Sequence, residues 1–481
     1  MTMGAEKRLR FEINKCRNCE ACRDLLGVSC LVFPEMFNMV DQERDTGQKV
    51  STEELNRLAD ICNFCGACPC LDIRVAILEY KTEQADRNGL PLRTRMIENV
   101  ERIGKIGNAF PQAFNFILTN KITRNVLQRT IGIHEKRKMP VIEKEGFATW
   151  FKKRSVNGER VLNGKRKLAY FAGCSARFLF PDVGKALVNV LERNGCEVEY
   201  LPQRCCGMPS FLEGDRKKTL ALAAFNVDRL TEVINEGYKI VCSCPTCGYV
   251  LKVMLNGGFG TRSGLINQPV QADGYLKIPK EKGAITTDGH DHYYVSERVR
   301  RNLVDTNLYF SPLDPVKRKL VAENTVDAGE YLVSLHEQGE LDTSFHGSFG
   351  KITYFPPCHQ REQRIGQPYH QLMGLIHGVE AETISGDYCC GNGGIMGFKQ
   401  DFFRHSLRIG GRLVNRLKSA EPDILTTDCL SCRMQFDQMT HYRTQHPLEI
   451  LEASYEDRPE LLAGDGVTKQ KSLIDEKRTG L

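Results

Sequence analysis

Closely spaced cysteines are the residues of this sequence with the clearest capacity for chemistry. The chain has 20 cysteines in 481 residues. Two triplets with two-residue gaps occur near its beginning: Cys16, Cys19 and Cys22 in "CRNCEAC", and Cys62, Cys65 and Cys68 in "CNFCGAC". A C-x2-C-x2-C run supplies three thiolates to one iron–sulfur cluster, and in two-cluster ferredoxins the fourth ligand comes from the other run. The spacing therefore predicts two cubane 4Fe–4S clusters.

The fourth ligand of each predicted cluster is a cysteine outside its own triplet. We expect one cluster on Cys16, Cys19, Cys22 and Cys70, and the other on Cys62, Cys65, Cys68 and Cys30. Two features depart from the bacterial ferredoxin pattern: seven residues separate Cys22 from Cys30, and "CPC" ends the second group. Paired C-x2-C motifs also build zinc ribbons, but zinc leaves the third cysteine of each run unexplained.

A second kind of cysteine group is repeated in the rest of the chain. Cys174, Cys205, Cys206, Cys244 and Cys247 match Cys358, Cys389, Cys390, Cys429 and Cys432 at offsets of 184 or 185 residues. The adjacent pair is followed by glycine in both copies, "CCGMPS" and "CCGNGG". Adjacent cysteines suit neither tetrahedral zinc nor a disulfide with each other, but they can reach different atoms of a multi-iron cluster. Cysteines that are buried for structural reasons alone do not explain why five of them recur at matching positions in both copies.

The segments around these cysteines alternate between strand and helix patterns. "KLAYFAGC" (167–174) and "KITYFPPC" (351–358) have the pattern of strands that end in turns, and "KIVCS" and "DILTT" precede the C-x2-C motifs. Short connections between such elements favour a parallel sheet in each copy, whose loops converge at one edge. We therefore expect an α/β fold with two cysteine-rich modules. Cys196 and Cys242 lie outside the repeat, at a predicted helix end and in a predicted strand, and are expected to be buried apolar residues.

The domain organisation follows from these patterns. We expect a mostly helical two-cluster ferredoxin domain over 1–80, in which Leu55, Leu58 and Ile61 recur at helical spacing. A connector over 81–165, a first module over 166–254, a second over 346–460 and a polar tail over 461–481 complete the chain. Residues 255–345 are predicted to be an inserted loop followed by a return helix in "LVAENTVDAGEYLVSLHEQG". The loop could gate a cluster, and we favour the alternatives that it docks a partner or is a solvated excursion.

The connector region is basic and amphipathic. Between positions 91 and 170 there are 18 Lys and Arg residues against 6 Asp and Glu, and apolar residues recur at three- and four-residue steps from Ile103 to Leu127. Pro111 should interrupt or start a helix there. Such a stretch either packs on its own protein or lies in a membrane interface. No nucleic-acid-binding motif accompanies the charge, so nucleic acid is not an expected partner.

The sequence also bounds the cellular location. No run of about 18 apolar residues is present, and "MTMGAEKRLRFEINKC" lacks the apolar stretch of a secretory signal. We expect a cytoplasmic protein, or one that is peripheral on the inner face of the cytoplasmic membrane. Reducing conditions there disfavour structural disulfides and favour metal or redox roles for the cysteines.

The order Cys, Cys-Cys-Gly and C-x2-C, present twice, resembles the paired modules of heterodisulfide reductase-type proteins. With the N-terminal triplets and stretches such as "HEKRKMP" and "TTDCLSCRMQF", it is similar to the iron–sulfur C subunits of anaerobic glycerol-3-phosphate dehydrogenases. The resemblance implies that a complete module can hold a non-cubane 4Fe–4S cluster, so one or two such clusters are expected beside the cubanes. Gly391, Gly393, Gly394 and Gly397 miss the dinucleotide-binding phase, and we expect no flavin in this chain.

The resemblance also implies a function. We expect an iron–sulfur electron-transfer subunit that takes electrons from a flavoprotein dehydrogenase or other redox subunit and passes them to a quinone, a membrane cytochrome or another acceptor. The alternative is a catalytic subunit that reduces a disulfide, with catalytic candidates Cys358, Cys389, Cys390, Cys429, Cys432 and His359. His359 would donate a hydrogen bond to a cluster or a reacting thiol, or serve as a structural histidine. A zinc-stabilised scaffold is the third interpretation.

Overall fold

The computed structural model describes residues 4–26, 30–68, 71–161, 164–256, 275–279, 292–296, 309–347, 349–384, 386 and 388–456. Cys70, the predicted tail over 461–481 and most of the predicted inserted loop lie outside these residues.

Helices alone make up the described N-terminal part. They are α1 (Ala5–Cys19), α2 (Ala21–Leu25), α3 (Val32–Thr46), α4 (Thr52–Asp60) and α5 (Leu71–Asn88). A capping box between Ser51 and Glu54 starts α4, which buries Leu55 and Leu58 in a core shared with α1, α3 and α5. This confirms the helical spacing predicted for Leu55 and Leu58, whereas Ile61, which is also buried, follows the helix as its C-terminal cap. The ferredoxin character of the region stays a prediction.

Five further helices lie in the connector: α6 (Leu92–Ile97), α7 (Val100–Ala109), α8 (Pro111–Thr119), α9 (Lys121–Ile131) and α10 (Phe147–Asn157). Pro111 starts α8, as expected of proline at a first helical position. Asn120 caps α9 by accepting from the backbone N–H groups of Ile122 and Thr123. The apolar periodicity thus spans three short helices.

The first module is a parallel sheet with helices around it. Its elements are β1 (Arg166–Phe171), α11 (Ser175–Phe178), α12 (Pro181–Arg193), β2 (Cys196–Glu199), α13 (Met208–Leu212), α14 (Arg216–Asn235), β3 (Lys239–Cys242), α15 (Pro245–Gly248) and a π-helix over Tyr249–Met254. β1 pairs in parallel with β2 on one side and β3 on the other. Cys196 starts β2 and Cys242 ends β3, and both are fully buried. Cys196 therefore lies in a strand and not at a helix end.

The segment predicted as an insert and a return helix is built differently. Its described residues form an antiparallel pair, β4 (Tyr275–Pro279) and β5 (His292–Ser296), then α16 (Pro315–Glu323), β6 (Thr325–Asp327) and α17 (Ala328–Glu337). β6 pairs in parallel with β3, so the first sheet has the order β2–β1–β3–β6. The single helix expected in "LVAENTVDAGEYLVSLHEQG" is therefore wrong, because a strand of the first sheet interrupts it.

The second module repeats this arrangement. Its elements are β7 (Lys351–Tyr354), α18 (Cys358–Gln363), α19 (Pro368–Met373), β8 (Glu380–Thr383), a short 3-10 turn at Met396–Phe398, α20 (Phe403–Ala420), β9 (Ile424–Thr426), α21 (Leu430–Met439), β10 (Thr444–Gln445) and α22 (Pro447–Tyr455). The order β8–β7–β9–β10 matches that of the first sheet, and the pairs are parallel. The α/β fold with two modules is confirmed.

The two modules share one core. α17, at the end of the first module, packs on α19 of the second, and α22 packs on α12 of the first. Side chains from β1, β7 and these helices belong to one buried cluster, including Leu168, Ile352 and Leu448. The modules are consequently fixed with respect to each other.

Candidate functional site

In the first module, three loops at the carboxyl ends of parallel strands carry the repeated cysteines. Cys174 follows β1, Cys205 and Cys206 follow β2, and Cys244 follows β3 as the cap of α15. The Sγ atoms of Cys174 and Cys205 are 3.7 Å apart. The side chain of Tyr170 in β1 fixes the start of the C-x2-C loop, since its hydroxyl and that of Ser243 are hydrogen-bonded at 2.7 Å.

The second module holds its cysteines in the same way. Tyr354, the counterpart of Tyr170, donates to Asp428 Oδ1 at 2.8 Å, directly before Cys429. The Sγ atoms of Cys390 and Cys432 are 3.1 Å apart, and the Gly391 N–H donates to Cys389 Sγ at 3.3 Å. This geometry is consistent with the sequence prediction that the five cysteines of each module converge.

Contacts among the sulfurs favour thiolates at selected positions. Hydrogen bonds from Cys205 and Cys247 lower the pKa of Cys206 to about 6. A hydrogen bond from the Cys247 thiol, helped by backbone N–H groups, lowers the pKa of Cys244 to about 7. Thiolates are the form in which cysteine binds metals.

Gly391 allows the second Cys-Cys pair to approach the rest of the module. Its φ is +84°, and a Cβ there would lie 2.2 Å from the carbonyl oxygen of Ser406. Gly207 has the same role in the turn, with φ of +96°, but a Cβ would be no closer than 3.3 Å to its neighbour Thr219. The backbone of the second module is therefore the more tightly packed of the two at this point.

Both modules open on one chamber. The space within it that is not occupied by atoms, including open solvent, is about 1520 Å³. Nine of the ten repeated cysteines line it, all except Cys205, together with Cys65 from the N-terminal region. Apolar side chains of the connector, including Ile103, Phe114 and Leu118, form another part of its wall. The chamber thus joins thiols from three parts of the chain.

A second chamber lies in the N-terminal region. It has about 500 Å³ of unoccupied space and is lined by Cys30, Cys62, Cys65 and Cys68, with Cys389 of the second module. These four N-terminal cysteines are the set that the sequence predicted for one cubane. Burial raises the pKa of Cys30 to about 12, with the nearby Cys65 as the next cause. Cys65 and Cys389 line both chambers, which places the two sets of thiols next to each other.

Comparison with known proteins finds the repeat directly. A family model described as a cysteine-rich domain, CCG, matches residues 168–252 and 352–437. Lactate utilization protein A of Halalkalibacterium halodurans is 40% identical over 237 residues, which are 48% of this chain and 73% of that protein. The chain belongs to the CCG-domain family.

Other relatives share more of the chain at lower identity. The C subunit of anaerobic glycerol-3-phosphate dehydrogenase from Escherichia coli (strain K12) is 24% identical over 385 residues, covering 79% of this chain and 82% of the relative. This confirms the resemblance drawn from the cysteine motifs. A solved structure of a hypothetical protein from Helicobacter pylori aligns over 90% of this chain and 78% of its own with a TM-score of 0.35 and 11% identity, a likeness that does not identify a shared fold.

The first N-terminal triplet differs from the second in its surroundings. Cys16 lies in α1, Cys19 ends that helix and is exposed, and Cys22 lies in α2. Cys16 and Cys22 pack partly against the N-terminal core. Cys70 lies outside the described residues, so the set of Cys16, Cys19, Cys22 and Cys70 stays a prediction.

His359 joins three parts of this CCG-domain protein. Its Nδ1 is hydrogen-bonded to Thr246 Oγ1 of the first module at 2.9 Å, and its Nε2 lies 3.4 Å from the Phe64 carbonyl oxygen. The ring stacks on Tyr249 with centroids 4.9 Å apart. Burial lowers the pKa of His359 to about 4, so the ring is neutral at pH 7. Both ring nitrogens have partners other than thiols, and His359 lines the shared chamber together with the module cysteines. Its catalytic assignment stays a prediction.

Some residues of the site were not singled out by the sequence. Arg137 of the connector is 2% exposed and donates to Gln435 Oε1 at 2.5 Å and to Asn392 Oδ1 at 2.6 Å, beside the second set of thiols. Arg74 of α5 is also 2% exposed and donates to Glu362 of α18 at 3.0 Å. Arg137 stands among other basic residues in "HEKRKMP", so no local pattern marks it as buried. Arg74 lies in the apolar run "DIRVAIL", which is a signal that could have marked it.

The donor chemistry fits iron–sulfur groups. Four thiols line the N-terminal chamber, matching the four thiolates of a 4Fe–4S cluster. In the second module five cysteines line the shared chamber, and in the first four line it with Cys205 next to Cys174, which is in total more than tetrahedral zinc accepts. Among the described residues, no three His, Cys, Asp or Glu side chains are grouped around a single ion position. The cysteines line chambers instead.

Proposed function

We propose that the protein is an iron–sulfur electron-transfer subunit of an oxidoreductase complex. The observation that carries this proposal is the shared chamber, which brings cysteines of both CCG modules together with Cys65 of the N-terminal region. When bound, iron–sulfur clusters supply one-electron redox centres whose potentials depend on burial, charge and hydrogen bonds to sulfur. Electron transfer needs redox centres that lie close together. The two chambers meet this need because they are adjacent and share the wall residues Cys65 and Cys389.

The ligand assignments follow the thiol sets. In this proposal Cys62, Cys65, Cys68 and Cys30 hold one cubane, and the predicted first set holds another. The five cysteines of each module hold the remaining groups. Buried Arg74, which is paired with Glu362, lies in the wall of the N-terminal chamber and holds it against α18 of the second module. The N-terminal region thus acts as a two-cluster ferredoxin domain.

The partner is proposed to be a flavoprotein dehydrogenase or another redox subunit. Two relatives support this: one is named as a subunit of anaerobic glycerol-3-phosphate dehydrogenase, and another, from Methanothermobacter marburgensis, as the B subunit of a fumarate reductase (CoM/CoB). The latter is 23% identical over 306 residues, covering 61% of this chain and 48% of the relative. Both names describe parts of multi-subunit oxidoreductases, so the protein is expected to work in a complex.

The acceptor is proposed to be a quinone reached from the inner face of the cytoplasmic membrane. No helix among the described residues has the length and apolar character needed to cross a bilayer. Helices α8 and α9, however, carry exposed apolar side chains: Phe110, at the start of α8, Phe116, Ile117, Ile122 and Val126. Exposed Lys121 and Arg129 flank them. Apolar side chains among basic residues suit the interface of an anionic membrane.

Disulfide reduction at the second module is the second candidate. The apolar side chains that line the shared chamber next to the thiols favour it, because an organic disulfide can pack against such a wall. The reaction would consume two electrons from the redox partner and two protons, cleaving the S–S bond to give two thiols. Adding a disulfide to reduced protein distinguishes the two candidates. Thiol release together with a substrate-dependent paramagnetic signal would support catalysis. The absence of both would support electron transfer without disulfide reduction.

Metal analysis of anaerobically purified full-length protein tests the proposal. Iron with matching acid-labile sulfide, and paramagnetic signals on reduction, are expected. Folded protein with zinc and without iron would instead support the scaffold interpretation. Copurification of a flavoprotein would support the proposed direction of electron flow.

A further inference from the structure

Arg137 is a buried cation whose hydrogen-bond acceptors are neutral. It is 2% exposed, and among the described residues it donates to the amide oxygens of Gln435 and Asn392, not to a carboxylate. Its Nε has no acceptor there. Burial lowers the pKa of Arg137 to about 10, so the guanidinium stays charged at pH 7. A buried charge is costly unless an opposite charge lies close by.

The two acceptors lie on the two segments that complete the second thiol set. Asn392 follows Cys390 by two residues in the Cys-Cys-Gly loop. Gln435 follows Cys432 by three residues on α21, one helical turn further on. Arg137 therefore ties the loop of Cys389 and Cys390 to the helix of Cys432.

The connector loop that carries Arg137 is itself held in place. Arg124 of α9 donates to the carbonyl oxygens of His134 at 2.6 Å and of Arg137 at 2.8 Å. The Lys138 N–H donates to Gln438 Oε1 of α21 at 2.6 Å. These bonds hold the backbone on either side of the Arg137 side chain in place, so the position of its charge is preorganised.

The first module lacks this arrangement. At the offsets of the repeat, Met208 stands in place of Asn392 and Val250 in place of Gln435. Both are buried apolar residues and offer no side-chain oxygen to an arginine. The two modules are therefore alike in their thiols and different in the side chains at these two positions.

We propose that Arg137 is a positioning residue that holds the ligand segments of the second module together and makes its iron–sulfur group easier to reduce than that of the first module. This rests on the proposed function. Reduction adds negative charge, and a fixed cation in a water-poor site stabilises the reduced form.

An EPR-monitored redox titration of the full-length, anaerobically loaded protein tests this. The signal that disappears in Cys432→Ser is assigned to the second module. In Arg137→Gln, the reduction equilibrium of that centre is expected to shift at least tenfold toward the oxidised form, about 59 mV for one electron. The other signals should stay in place. In Arg137→Lys, which keeps the charge, the shift should be smaller.

A second variant keeps the test decisive if Arg137→Gln does not retain iron. Gln435→Glu preserves the acceptor and adds a negative charge beside the guanidinium, so it should shift the same centre in the same direction. Arg318→Gln is the control, because Arg318 is a buried arginine of α16 that donates to the Leu255 carbonyl. Iron-replete Arg137→Gln or Gln435→Glu protein with an unchanged potential would overturn the proposal, as would equal shifts in Arg137→Gln and Arg137→Lys. If Cys432→Ser removed no signal, the proposed function itself would be at fault.

Discussion

Cysteines in this chain differ in what their sulfurs contact. Cys432 lies 3.1 Å from Cys390 in the second thiol set, whereas Cys196 is equally buried but has Asn194 and Tyr331 as its sulfur contacts. Cys432→Ser should lower the iron content and remove one paramagnetic signal, because a serine oxygen is a poor substitute for thiolate on iron. Cys196→Ser should leave iron and signals unchanged. Iron analysis and EPR of the two purified variants provide the comparison, and equal iron in both would contradict the ligand assignment.

Gly391 gives a second residue-level prediction. Gly391→Ala should lower the iron content and the melting temperature for two reasons. The new Cβ would lie 2.2 Å from the Ser406 carbonyl oxygen, and the alanine backbone would have to adopt a positive φ. Gly378 has a φ of +76°, and a Cβ at that position would have nothing within 4 Å, so Gly378→Ala should cost only about 1 kcal/mol. Thermal melts with iron analysis separate the two effects; similar losses in both variants would mean that backbone strain alone is responsible.

At this scale the sequence predicts thiols better than their neighbours. The offsets of 184 and 185 residues were enough to group the ten module cysteines, since a repeated spacing reflects a repeated fold. Burial of Arg137 could not be predicted, because it depends on amides of Asn392 and Gln435 more than 250 positions away. Tertiary contacts, not local pattern, decide which basic residues are buried.

Secondary elements show where local pattern is insufficient. Most strands and helices of the modules are predictable from apolar periodicity and turns, but the pattern around β6 predicts helix. This strand has three residues, and its pairing with β3 stabilises it from outside the segment. A signal was available in the sequence: Asp327 and Glu330 form a capping box that starts α17. The equivalent His446 and Glu449 start α22, so the duplication extends to these helices.

The contact between α12 and α22 is predicted to depend on pH. Asn189 of α12 donates to Glu452 of α22 at 2.5 Å, and burial raises the pKa of Glu452 to about 7. Because this exceeds the value of about 4.3 in an unfolded chain, wild-type stability falls as pH rises between those values. Glu452→Gln removes this loss and should raise the melting temperature more at pH 8 than at pH 5.5, by the equivalent of about 1–2 kcal/mol.

Glu54→Gln is the control of opposite sign for this measurement. The N–H and hydroxyl of Ser51 lower the pKa of Glu54, so its contribution is present at neutral pH and is lost as pH falls. This variant should melt at a lower temperature than wild type at pH 8. A gain for Glu452→Gln that is the same at both pH values would rule out titration of Glu452 as its cause.

In the whole molecule, the packing of one helix from each module on the other module makes the shared chamber possible. α17 and α22 each pack on the other module, so the carboxyl edges of both sheets are held facing the same space. The connector closes one side with Ile103, Phe114 and Leu118. Sequence alone predicts the two sites but not their common chamber, because the arrangement arises only from contacts between modules.

Helices α8 and α9 of the connector present apolar side chains to solvent, which predicts membrane association of the whole protein. Phe116 is 61% and Ile122 is 76% exposed. The double variant Phe116→Glu, Ile122→Glu should bind vesicles of phosphatidylcholine and phosphatidylglycerol at least tenfold more weakly than wild type, because it replaces inserted apolar area with charge. Val316→Glu, which alters a 75% exposed valine on α16, should bind as wild type does.

Binding of wild type should weaken with added salt and in vesicles of phosphatidylcholine alone, because Lys121 and Arg129 are attracted only to anionic lipid. Cosedimentation measures all of these, and wild-type affinity in the double variant would show that this face has another partner.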